Sequence, residues 1–198
     1  MKKIAFFILA VCIFAGCSSH SEKKSEREMK EAVEKAENSE RVEDELFLGF
    51  KVGMSRYEVN SHFEYLYNIG KIYTNSSDYY RYNLKTNGMD CVMNFKTLYY
   101  NDTLFGLLCP FHDDLMLESD YIVAATAFIS SERYKTGFRI HITKDILDDP
   151  VYTYVKDNMV VRFESNSMMY YDAPTYKAYL RQEAEEKERQ IRESSSDF

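Results

Sequence analysis

Hydrophobic positions recur with different periods along this chain, and each period marks a different kind of segment. Ile4 to Phe14 is an unbroken run of eleven apolar residues behind Lys2 and Lys3. From Ser18 to Glu45 apolar residues nearly vanish, and only Met29, Val33 and Ala36 recur at helical spacing. The pairs Glu26/Lys30 and Glu31/Lys35 suit a solvated helix, but that stripe is too thin to dock firmly. The segment therefore reads as a polar spacer, with a partner-binding helix as the alternative.

Apolar residues return at Leu46-Phe47-Leu48-Gly49-Phe50-Lys51-Val52-Gly53-Met54. Ser55 and Glu58 then form a capping box, and Met54 and Val59 fall at the two positions of a hydrophobic staple. A helix is predicted from Ser55, with Val59, Phe63 and Leu66 inward and Gly70 as its left-handed stop. His62 borders the inner face and reads as a packed side chain, because no second ligand lies at metal spacing.

After Gly70 the period changes to two. Lys71–Thr74 and Tyr79–Leu84 flank the turn cluster Asn75-Ser76-Ser77-Asp78, and Thr86-Asn87-Gly88 is a second turn. Cys91–Tyr100 alternates, with Met93, Phe95 and Tyr99 on one face, and Thr103–Phe111 returns with Phe105, Leu107, Cys109 and Phe111. A three-residue loop, Asn101-Asp102-Thr103, puts these two apolar sets on the same side of a hairpin. Ser119–Arg133 reads as a second helix ended by Gly137, with strand as the competing reading because of its β-branched content. Four more strands follow: Phe138–Thr143, Val151–Val155, Met159–Phe163 and Met168–Tyr171. A last helix begins at Asp172-Ala173-Pro174, touches the core through Tyr176, Tyr179 and Leu180, and is polar all round from Arg181.

These periods predict an α+β fold: an antiparallel sheet with helices packed on one face and a polar C-terminal helix. The helix starts at Ser55 and Ser119 and the tips at Asn101 and Asp157 suggest two tandem helix-plus-four-strand units. The other sheet face, or an edge, is then left to bind something. The implied organisation is a leader over 1–16, a polar tether over 17–45, the α+β domain over 46–180 and a charged helical tail over 181–198.

Two lysines, a short apolar run and small residues before Cys17 have the three parts of an export signal. The run is too short to span a bilayer, which takes about 20 apolar residues. Phe14-Ala15-Gly16-Cys17 resembles the bacterial lipobox, which implies acylation of Cys17 and a mature chain starting there. Losing Lys2 and Lys3 takes the net charge from −7 to −9. So acidic a chain argues against nucleic acid or anionic lipid as a partner, so the membrane contact is expected through the lipid on Cys17. With no aspartate after the lipid site, the outer membrane is the expected address, in either leaflet. Of the four cysteines, Cys91 and Cys109 remain where a disulfide is permitted. In the hairpin register Cys109 faces Phe95, which puts Cys91 about 13 Å further along its strand, beyond the roughly 7 Å limit for a bridge. Two free, buried thiols are favoured, while a shifted register would leave the pair open.

Gly49-Phe50-Lys51-Val52-Gly53-Met54-Ser55-Arg56-Tyr57-Glu58-Val59 resembles the opening of small bacterial lipoproteins related to the outer-membrane assembly lipoprotein BamE, the SmpA/OmlA group. It is also similar to the β-lactamase-inhibitor-like proteins, built from helices followed by antiparallel strands. The resemblance covers about a dozen residues and implies a binding or scaffolding protein rather than an enzyme. It carries no partner contact over to any residue here.

No phosphate loop, Gly-x-Ser-x-Gly elbow, His-Glu-x-x-His or Cys-x-x-Cys pair occurs. No catalytic residue, cofactor or metal is expected; His112-Asp113-Asp114 and Asp148-Asp149 read as solvated loop carboxylates. Tyrosine is the one excess, 17 residues with no Trp. Doublets such as Tyr99-Tyr100 and Tyr170-Tyr171 send adjacent rings to opposite strand faces, so one of each must leave the main core face. Tyr80, Tyr82, Tyr100 and Tyr171 are the candidate binding residues, since exposed tyrosines anchor proteins or stack on sugars. The expectation is a membrane-tethered, non-enzymatic lipoprotein binding an envelope protein, with a surface glycan-binding lipoprotein as the alternative.

Overall fold

The computed structural model describes residues 21–74, 80–86, 89–111, 137–164 and 167–195. The leader, Cys17, the Asn75–Asp78 turn, His112-Asp113-Asp114 and the helix predicted over Ser119–Arg133 lie outside the described residues. Helix α1 covers 21–37, a 3-10 turn Phe47–Gly49 follows, and α2 is Arg56–Asn68. The strands are β1 Tyr73–Thr74, β2 Tyr80–Thr86, β3 Met89–Asn94, β4 Lys96–Tyr100, β5 Thr103–Pro110, β6 Arg139–Lys144, β7 Pro150–Lys156, β8 Met159–Glu164 and β9 Ser167–Asp172, and α3 is Ala173–Ser195. The fold is α+β, with a three-stranded sheet ordered β1-β2-β3 and a six-stranded sheet ordered β4-β5-β9-β8-β7-β6, every pairing antiparallel.

Helix α2 starts where its capping box places it. Ser55 Oγ accepts from Glu58 N–H at 3.3 Å, and Ser55 N–H donates to Glu58 Oε2 at 2.8 Å. The Ser55 N–H bond, together with Ser55 Oγ donating to the same carboxylate at 2.8 Å, stabilises the ionised form and holds Glu58 below the ordinary carboxylate value. The helix ends in a Schellman motif around Gly70, φ +68°, with Gly70 N–H on Tyr67 O at 2.9 Å and Lys71 N–H on Leu66 O at 2.9 Å. Val59, Phe63 and Leu66 are buried as their spacing predicts.

The alternating run Cys91–Tyr100 is interrupted at Phe95. Its first part, β3, pairs with β2, and its second part, β4, pairs with β5. One stretch of chain thus serves two sheets and joins them at a corner. The bridge from Met93 to Phe111 keeps the register in which Phe95 would face Cys109. Cys109 is a free thiol, wholly buried, and burial pushes its pKa up.

The hairpin tip differs from expectation. Tyr100 pairs with Thr103, so the loop is the two residues Asn101 and Asp102, at φ 48° and 60°. That backbone suits the strand twist at a tight hairpin. The register then shifts by one between Leu98 and Tyr99, with Phe105 as the extra residue. Leu104, Leu107 and Cys109 therefore lie in the main core, whereas Phe105 joins a second one. This corrects the placement of Phe105 beside Leu107 and Cys109.

The two cores lie on opposite sides of the six-stranded sheet. Alternate residues Tyr154, Val161, Phe163, Met168 and Tyr170 pack with Phe50, Phe63 and Leu66 on the first side. Val155, Val160, Phe105 and Tyr171 pack on the second side with Ala32, Val33 and Ala36 of α1 and Tyr176 and Tyr179 of α3. Helices consequently cover both faces, not one. The α1 stripe, expected to be too thin to dock, is seated with Ala36 wholly buried. Polar anchors complement its small side chains: Ser25 Oγ donates to Ile142 O at 2.7 Å, and Lys177 Nζ lies 3.6 Å from Glu37.

Candidate interaction surface

None of the four tyrosines picked from the sequence is among the exposed apolar side chains, and they are not brought together. Tyr80 is half-buried and stacks on Phe63, centroids 4.8 Å apart and rings within 3° of parallel. Tyr82 meets Phe47 edge-on at 5.3 Å, and burial raises its hydroxyl pKa. Tyr100 and Tyr171 do leave the main core face, but what they reach is the second core. Tyr171 packs 4.6 Å from Tyr176 of α3, and burial again raises its pKa. The doublet rule held for direction, and the covering helices removed the exposure inferred from it.

The exposed rings are others. Tyr57, Tyr65 and Tyr67 of α2 are 80%, 56% and 48% accessible, and Ile69 and Tyr73 continue the surface beyond the helix. The outer face of such a helix ordinarily carries charge; here Tyr57 and Tyr65 stand there among Glu58, Ser61, Glu64 and Asn68. Tyr67 lies 6.4 Å from Tyr80, and Tyr73 OH donates to Asn83 Oδ1 at 2.8 Å, which ties this surface to the small sheet. The signal was present in the sequence as Tyr57 and Tyr65 opposite Val59, Phe63 and Leu66, with Tyr67 at the border of the buried face, four residues after Phe63. At the other end of α2, Arg56 lies 4.1 Å over the Tyr99 ring and 3.5 Å from Asp102.

His62 is held, as expected, by packing. Its Nε2 lies 2.9 Å from Leu48 O, and its ring meets Phe50 edge-on at 4.6 Å. Asp148 is paired with Lys144 at 2.8 Å. Two clefts flank α1 where it crosses β6 and β7, one reaching Lys35, Arg139 and Lys156, the other Glu22, Lys144 and Asp148. Neither has an aromatic ring in its wall.

A buried polar cluster holds the segment between α1 and the main core. Asn158, at the β7–β8 tip, accepts from Val42 N–H and Glu43 N–H at 3.0 and 2.9 Å. It donates to Glu43 O and to Asp172 Oδ1 at 2.8 and 2.7 Å. Asp172 in turn accepts from Thr175 N–H at 3.2 Å at the start of α3 and lies 3.5 Å from Arg41. With donors and acceptors matched, this cluster is a structural latch rather than a reactive site.

Among the described residues there is no group of three or more metal-ligating side chains, and no helix is long and apolar enough to cross a membrane. Comparisons with protein-family models, with curated proteins and with solved structures return no match.

Proposed function

We propose that this chain is an envelope lipoprotein, anchored in the outer membrane through lipid on Cys17, that works without catalysis as a protein-binding or scaffolding module. The observation that carries the binding half is the tyrosine surface of α2. It is built on a capped helix, and Tyr57, Tyr65 and Tyr67 face solvent, whereas Tyr80, Tyr82, Tyr100 and Tyr171 are drawn toward the two cores. Large, stiff, amphipathic side chains on a pre-formed element suit a protein interface, because little conformational freedom is lost when they are covered. A sugar site needs planar rings in a groove with converging polar groups, and the two clefts beside α1 have polar and aliphatic walls instead. The anchoring half rests on the leader and the lipobox-like Phe14-Ala15-Gly16-Cys17.

Tyr57→Ser, Tyr65→Ser and Tyr67→Ser combined remove this surface and leave the buried face of α2 intact. In gently solubilised membranes the native chain is expected to co-purify with a stoichiometric envelope protein and the triple variant to lose at least tenfold of it. Retention of the partner by a variant with an unchanged circular dichroism spectrum refutes the assignment to α2. A chain that purifies alone and shifts on a glycan array favours the glycan-binding alternative.

A further inference from the structure

The loop joining β6 to β7 presents two aliphatic side chains to solvent: Ile146 is 100% and Leu147 75% accessible. Single exposed aliphatics are ordinary, but this pair sits on a loop that is firmly built. Asp145 Oδ1 accepts from Leu147 N–H at 2.8 Å and from Asp149 N–H at 3.0 Å. Asp145 N–H donates to Asp149 O at 2.9 Å, and Asp148 N–H donates to Asp145 O at 3.2 Å. Asp148 takes φ 71° and is clamped by Lys144 at 2.8 Å. A loop so constrained holds Ile146 and Leu147 outward.

The position of this loop gives the pair a meaning. Lys144 also lies 3.4 Å from Glu22, and Ser25 bonds to Ile142 O, so the first turns of α1 are fastened beside it. Cys17 precedes Ser21 by four residues, a span of at most about 14 Å even when fully extended. Because α1 is docked, the stretch expected to lift the domain away from the bilayer shrinks to these few residues.

We propose that Ile146 and Leu147 seat in the interfacial layer of the bilayer, as a second membrane contact beside the lipid on Cys17. This rests on the lipoprotein reading above, and it orients the molecule. Lys144 pairs with Pro150 at the membrane end of β6 and β7, while Lys156 and the tip at Asp157 lie at the far end of β7, about 20 Å along the strand. The bridge from Ser55 to Thr103 puts the start of α2 at that far end too. The acidic net charge directs the contact to zwitterionic lipid, through apolar insertion rather than charge.

The absence of tryptophan makes a clean test possible. Leu147→Trp and Ile146→Trp each place one indole at the loop, and Tyr57→Trp places one at the far end. Each full-length, acylated chain is reconstituted into phosphatidylethanolamine–phosphatidylcholine vesicles containing brominated acyl chains, and palmitate incorporation at Cys17 is measured in parallel. The loop indoles are expected to shift to shorter wavelength and to be quenched at least threefold more than the Tyr57→Trp indole. Equal quenching at all three positions in a palmitate-labelled protein overturns the loop contact and leaves the lipid anchor standing. No palmitate on Cys17 overturns both.

Discussion

Gly106 shows how closely the centre of this fold is packed. It pairs with Leu98 on one side and Tyr171 on the other, next to the extra residue Phe105. A Cβ built there would come within 2.9 Å of Tyr170 O and 3.0 Å of the Tyr171 Cβ. Those obstacles are backbone and the root of a buried side chain, so neither gives way cheaply. Gly106→Ala is expected to cost about 1–3 kcal/mol, read as a lower urea midpoint with an unchanged slope. Phe105 is the neighbouring case in which sequence reasoning erred. Strict alternation carries Phe105 to the same face as Leu107 and Cys109, and nothing in the residue types announces a one-residue shift. Only the backbone conformation of Asn101 and Asp102, which shortens the loop to two residues, forces the excess residue into the strand.

At the scale of elements, α2 was readable because its signals are chemical: a Ser and a Glu three apart, and a glycine at the stop. The strands were readable from alternation. Helix α1 was located correctly as a helix, but its docking was missed, because alanine contributes little to any hydrophobic stripe and yet permits close approach to a sheet. The same error put Tyr100 and Tyr171 on the candidate surface, since the cover over them comes from α1 and α3. If small side chains are what seat α1, a charge at their centre should release it. Ala36→Glu is expected to undock the helix while the main core stays folded, because the cost of burying a carboxylate without a partner exceeds what one helix gains by docking. Native-state hydrogen exchange reports this directly. Amides over 22–37 should lose protection by at least a hundredfold, with those of α2 and β8 unchanged.

At the scale of the whole molecule, the chain runs as two halves, β1 to β5 split over both sheets and the meander β6 to β9, that meet where β5 pairs with β9. Two such halves could in principle unfold separately. The side chains argue against it. The main core draws Phe50, Phe63 and Leu107 from the first half and Tyr154, Phe163 and Tyr170 from the second, and Phe111 stacks on Phe163 with centroids 6.3 Å apart. Neither half keeps a closed core alone, so partial unfolding would expose apolar surface in both. Leu107, wholly buried on β5 and paired across to Tyr170, lies on that seam. Leu107→Ala should cost about 2–5 kcal/mol, and the loss should be shared. Protection of β2 and β3 and protection of β7 and β8 should fall by the same factor, within a single urea transition seen alike by tyrosine fluorescence and far-ultraviolet circular dichroism. Two resolved transitions, or protection lost only in β2 and β3, would mean that the halves are independent units and that the seam is an interface rather than a core.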